Sequence, residues 1–114
     1  MIKLEITLDW DSLPEPIVMQ RLSLIKQLPY VRQLFYRYSA SGKGWHIKAN
    51  MELVIFDSLK DIGIKSFCLG IRAAWWDDPA RIRCDVVRMS FNLPRQRLFD
   101  IKGGKKAGEW MLYV

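Results

Sequence analysis

The polar turn Ser39-Ala-Ser-Gly-Lys-Gly44 stands between two runs rich in aromatic and β-branched residues, and it constrains the fold more than any other stretch. After Gly44, the residues Trp45, Ile47, Ala49 and Met51 alternate with His46, Lys48 and Asn50, the pattern of a half-buried strand. Before it, Tyr30 to Tyr38 reads as the partner strand of a hairpin. The only histidine of the chain, His46, is thereby expected on the face away from the core. Ser41, Gly42 and Gly44 let the backbone take positive φ and approach a ligand, and Lys43 adds a cation at the tip. That pattern fits an anion cradle with bared N–H groups, and it also fits an ordinary hairpin turn with a polar outer face.

The N-terminal run alternates Ile2, Leu4, Ile6 and Leu8 with Lys3, Glu5, Thr7 and Asp9, a strand that ends in Asp9-Trp10-Asp11. Two carboxylates two apart in a strand point the same way. Asp11 can cap the turn that follows, whereas Asp9 has no such duty, and adjoining acids repel unless a cation is near. Pro14 and Pro16 introduce a helical stripe of Ile17, Val18, Arg21, Leu22, Leu24, Ile25 and Leu28, closed by Pro29. Leu53 to Gly63 is ambiguous, a short helix being one reading, and Ile64, Phe67, Cys68, Ile71, Ala74 and Trp75 then mark an amphipathic helix. Asp78-Pro79 is a helix-start signal, after which Arg81, Asp85 and Arg88 share one helical face and Ile82, Val86 and Met89 another. A strand with Ile82, Cys84 and Val86 inward is the alternative, and Arg81 with Asp85 is expected to form a surface ion pair. Arg97 to Lys102 reads as a fourth strand, Gly103 to Gly108 as a basic turn, and Glu109 to Val114 as a closing edge strand. Arg32, Tyr36 and Tyr38 are read as packing residues in preference to base-stacking ones.

With 114 residues, half of them hydrophobic and 26% charged, the chain is expected to be one globular domain, 1–114, with its own core. Cys68 and Cys84 lack metal-ligand spacing and are expected to be reduced core residues. No apolar run has the length of a bilayer span and the N-terminus lacks signal-peptide order, so a cytoplasmic protein without a membrane partner is expected. The formal charge of +6 favours a polyanionic partner such as nucleic acid.

The order strand, helix, strand, strand, helix, strand predicts an α+β fold of ferredoxin-like or RRM-like type. Its helices lie on one face of an open antiparallel sheet, the first and third strands lie side by side at the centre, and an extra C-terminal strand is added at the edge. Asp9 and His46 share the outward parity on those two strands and so can converge on the open face.

The trio of Leu8-Asp9-Trp10-Asp11, Ser41-Gly42-Lys43-Gly44-Trp45-His46 and a later apolar-Asp resembles the palm of archaeo-eukaryotic primases and primase-polymerases, and the size of the chain resembles small proteins of archaeal viruses and phages. The resemblance implies that Asp9 and Asp11 bind a divalent cation, that His46 contacts nucleotide phosphate, and that a third acid, either Asp85 or Asp100, completes the metal site. Mg²⁺ or Mn²⁺ suits such hard oxygen ligands, and Lys43, His46 and Lys48 would hold the triphosphate. Arg81, Arg88, Lys102, Lys105 and Lys106, with Lys43 and Lys48, are the expected contacts to single-stranded DNA or RNA. Three functions follow as expectations: a metal-dependent nucleotidyltransferase of primase type or a degenerate relative, a non-catalytic RRM-like module binding single-stranded nucleic acid, and a structural or interaction role in a virus.

Overall fold

The sheet grows from the Gly44 hairpin outward. In the computed structural model, which describes residues 2–54 and 61–114, β1 (Ile2–Asp11) pairs antiparallel with β3 (Gly44–Leu53) over its whole length, from Ile2 opposite Leu53 to Asp11 opposite Gly44. The hairpin joins β3 to β2 (Val31–Tyr38), with Tyr38 opposite Trp45 and the Ser39 N–H donating to the Gly44 carbonyl at 2.9 Å. A bulge between Val31 and Gln33 shifts the alternation, so Val31 and Leu34 both reach the core. Tyr36 and Tyr38 then pack on Trp45 with ring centroids 6.2 and 4.3 Å apart, as packing residues do.

Helix α1 (Glu15–Lys26) buries Val18, Leu22 and Ile25, spaced one turn apart, against Ile6, Leu8, Trp10 and Ile47. Each such side chain, fully removed from water, contributes about 1.5–3 kcal/mol. Its N-cap is Pro14 with no side-chain cap, so Asp11 does not serve as the cap. Helix α2 (Asp61–Ala74) adds Cys68 and Ile71, and Trp75 closes that layer. Helix α3 (Pro79–Ser90) begins as its Asp-Pro signal predicts, with the Asp78 carboxylate accepting from the Ala80 N–H at 2.9 Å. The short strands β4 (Ile101–Lys102) and β5 (Lys105–Lys106) form a separate hairpin, and β6 (Met111–Leu112) pairs with Phe35 and Tyr36. The protein is thus α+β, and its described residues form a four-stranded antiparallel sheet in the order β1-β3-β2-β6 and three helices, besides the β4–β5 hairpin. No helix among the described residues is long and apolar enough to cross a membrane.

Two expectations change. Residues 97–100 carry no strand, and the pairing of Ile101–Lys102 is confined to its own hairpin, so among the described residues no fourth strand lies beside β1. Strand β1 is therefore an edge rather than a central strand. The residues 55–60, within the stretch that allowed a short helix, lie outside the described ones.

Side chains stand where the missing strand would bond. The Arg81 Nη1 donates to the Thr7 carbonyl at 2.8 Å, and the Asp9 N–H donates to Asp77 Oδ1 at 2.8 Å. To reach that edge α3 buries its charged stripe, Arg81 and Asp85, and leaves Val86 and Val87 exposed. Arg81 does not pair with Asp85 at the surface as expected. It pairs with Asp77 at 3.1 Å, while Asp85 pairs with Arg72 at 2.6 Å, and all four residues are buried. Edge backbone groups need hydrogen-bonding partners, which an apolar helix face would not supply.

Removing one member of this neutral cluster leaves buried charges uncompensated. Asp77→Asn is expected to lower the unfolding free energy by about 3 kcal/mol or more, whereas Lys3→Ala, at an exposed pair 3.9 Å from Glu52, changes it by less than about 0.5 kcal/mol. Urea unfolding of the two variants compares them, and equal effects would show that the cluster carries no special weight.

Candidate functional site

Asp9 and His46 are cross-strand partners on the face opposite Leu8 and Ile47. They line a cleft of about 620 Å³ whose other walls are α3, through Arg81, Cys84 and Arg88, and the segment Pro94–Phe99. This end of the sheet face is therefore covered rather than open. The Gln96 N–H donates to Asp85 at 2.8 Å and the Arg88 Nε to the Pro94 carbonyl at 2.7 Å, which ties the segment to α3. Arg95 reaches the Thr7 hydroxyl at 2.8 Å and Glu5 at 3.2 Å. Arg81, Arg88, Arg95 and Arg97 face two acids, Asp9 and Asp78, so the cleft is basic. Cys84 is exposed in its wall and is not a core residue.

His46 is 4% exposed, and its Nδ1 accepts a hydrogen bond from the Arg37 Nε at 3.0 Å. Burial, then the charges of Arg37 and Arg81, lower its pKa to about 4, with Asp100 opposing. Asp9 behaves in the opposite way. Burial, then Asp11, raise its carboxyl to about 6, with Asp77 and Asp78 adding and Arg81 opposing. Its Oδ1 is buried with no hydrogen-bond partner among the described residues.

Asp11 is exposed at the end of β1, and with Asp9, Asp78, Arg21 and Trp76 it lines a recess of about 200 Å³. Gly44, opposite Asp11, leaves little room for a side chain. A Cβ would lie 3.0 Å from the Trp10 carbonyl and 3.3 Å from an Asp11 carboxylate oxygen. The turn does not bare its N–H groups as expected: those of Gly42, Lys43 and Gly44 donate to Ser39 O, Ser41 Oγ and Ser39 Oγ at 2.9, 3.3 and 3.1 Å. Ser41, Gly42 and Lys43 are exposed outside the cleft lining, and Lys48 lies over the rings of Phe35 and Trp110.

Of the two candidate third acids, Asp85 is held by Arg72 and the Gln96 N–H, and Asp100 is exposed and paired with Arg37 at 3.0 Å. Among the described residues no group of three or more His, Cys, Asp or Glu side chains is placed to hold a metal ion. Asp9 and Asp11 remain as a pair of hard oxygen donors, and the orphaned Oδ1 fits a cation. Arg81 lines the cleft while donating to Thr7, Asp77 and Gln96, and Lys102, Lys105 and Lys106 are exposed on the β4–β5 hairpin outside the cleft lining.

Arg37, Asp77, Arg95 and Arg97 were not anticipated. Arg37 was within reach, because a hairpin with Tyr38 opposite Trp45 places Arg37 opposite His46. Asp77 bonds Asp9, and Arg95 bonds Thr7 and Glu5, across long sequence separations for which local pattern carries no signal. Compared with known proteins, the chain matches no family model, no curated protein and no solved structure.

The two shifted groups oppose each other in pH. Asp9 binds its proton more tightly folded than unfolded, so its contribution to stability falls as pH rises from 3.8 to about 6. His46 binds its proton less tightly folded, so stability is lost as pH falls from 6.5 to about 4. Asp9→Asn is expected to unmask a stability that rises with pH across that window, and His46→Gln one that falls. Urea midpoints measured from pH 4 to pH 7 test this, and parallel profiles for wild type and both variants would refute it.

Proposed function

We propose that the chain is a nucleotide- and nucleic-acid-binding domain of palm-like arrangement, holding phosphate groups in the arginine-lined cleft with a divalent cation, Mg²⁺ or Mn²⁺, at Asp9 and Asp11. The observation that carries this reading is the in-register Asp9 and His46 pair at the floor of a cleft walled by arginines. Guanidinium groups attract phosphate, and its entry releases counterions. Mg²⁺ is commonly held by one or two carboxylates together with substrate phosphates, so two acids suffice when the nucleotide supplies the remaining ligands. The cation, when bound, neutralises charge on both phosphate and carboxylates. Strand order β1-β3-β2, with α1 before β2 and α2 after β3, supports a ferredoxin-like or RRM-like relationship that lacks the final strand.

Nucleotidyl transfer of primase type is the second reading, and the unpartnered, raised carboxylate of Asp9 beside Asp11 favours it. The engagement of Asp85 by Arg72 and of Asp100 by Arg37 favours binding over turnover.

Thermal unfolding with Mn²⁺, with a nucleoside triphosphate and with both tests the reading. The melting temperature is expected to rise most with both together, and Asp9→Asn or Asp11→Asn is expected to remove the increment due to metal. Equal shifts in wild type and both variants would eliminate the metal site. Incorporation of labelled nucleotide on a primed or unprimed template separates turnover from binding.

Binding of single-stranded DNA is expected to weaken steeply with salt, and Arg97→Ala to reduce the magnitude of the salt slope by about one. Filter-binding titrations at several salt concentrations measure it. No binding at low salt, or affinity indifferent to salt, would rule the cleft out as a phosphate site.

A further inference from the structure

Arg37 is a buried cation that touches the site without lining the cleft. Its Nε donates to His46 Nδ1 at 3.0 Å, its Nη1 pairs with Asp100 at 3.0 Å, and its guanidinium carbon lies 4.3 Å from the centre of the Trp110 ring. A guanidinium only donates, so the nitrogen facing it has to be an acceptor, and an imidazole whose Nδ1 accepts carries its proton on Nε2. Among the described residues Nε2 has no hydrogen-bond partner, and the ring lines the cleft.

We propose that Arg37 is a positioning residue that locks His46 with its proton on Nε2, so that His46 offers the cleft a hydrogen-bond donor and cannot serve there as a metal ligand or proton acceptor. The phosphate oxygen that would accept this bond rests on the reading given above. Three contacts from different parts of the chain fix Arg37: β3 supplies His46, the segment before the β4–β5 hairpin supplies Asp100, and the residue before β6 supplies Trp110. The segment after Phe99, which is outside the cleft lining, thus sets the chemistry of a strand residue inside it. Burial, and after it the cation against Nδ1, lower the basicity of His46.

The single histidine makes its ring signals unambiguous in long-range ¹H–¹⁵N spectra of the full chain. The wild-type protein is expected to show a protonated Nε2, an unprotonated Nδ1 and a scalar coupling across the hydrogen bond between Arg37 Nε and His46 Nδ1. Arg37→Met is expected to abolish the coupling, mix the tautomers and weaken nucleotide binding about tenfold, the scale of one hydrogen bond to a charged group. Arg37→Lys, which keeps a donor, is expected to preserve the Nε2 proton. A wild-type proton on Nδ1, or an unaltered tautomer in a folded Arg37→Met protein, overturns the proposal. The wild-type coupling decides the matter if Arg37→Met does not fold. An Nε2 signal locked by Arg37 but indifferent to added nucleoside triphosphate supports the role of Arg37 and removes the phosphate reading instead.

Discussion

The carboxylate of Asp77 joins three elements of the structure at one point. Its Oδ1 accepts from the N–H groups of Asp9 and Asp78, and its Oδ2 from Arg72 Nε at 2.7 Å and Arg81 Nη1 at 3.1 Å. The end of α2, the start of α3 and the edge of β1 are fastened at one side chain. Two arginines and two aspartates make the cluster neutral, so its desolvation is offset by pairing, although buried ion pairs seldom stabilise a fold beyond what apolar packing would. What the cluster supplies is definition: an apolar substitute could not bond the edge of β1 at Thr7 and Asp9.

The turn that delivers Asp77 is itself unusual. Trp76 occupies the left-handed region at φ 62°, where glycine is the ordinary choice, and the N–H groups of Trp76 and Asp77 reach back to Ala73 and Arg72 at 3.4 and 3.0 Å in a Schellman arrangement. Such a conformation costs a tryptophan roughly 1 kcal/mol or more. Arg21 offsets it, lying 4.8 Å from the Trp76 ring and 5.2 Å from that of Trp10, while the Trp10 Nε1 donates to the Trp75 carbonyl at 3.0 Å. Helix α1 therefore helps hold the α2–α3 corner, and through it the acids at the end of β1.

How far the sequence reaches is seen residue by residue. The alternation of Ile2 to Leu8 and of Trp45 to Met51, the Gly42 turn and the Asp78-Pro79 start were all legible, because each is a local pattern with a local cause. The facing of Asp9 and His46 followed from parity and strand order. The inverted burial of α3 was not legible, since Arg81 and Asp85 have the spacing of any solvated face and only the exposed edge of β1 makes their burial favourable. The same is true of the residues after Leu93: Arg97 to Lys102 reads as a strand, but the backbone that leads into it is held at Pro94 and Gln96 by Asp85 and by hydrogen bonds from Arg81 and Arg88 that arise only in three dimensions.

An edge strand is ordinarily a template on which another molecule can polymerise. At Thr7 and Asp9 the template is already filled by a guanidinium and a carboxylate anchored in α3 and the corner before it. An incoming chain would have to displace a neutral, buried ion cluster to extend the sheet there, so the residues that frame the cleft also guard this molecule against edge-to-edge aggregation.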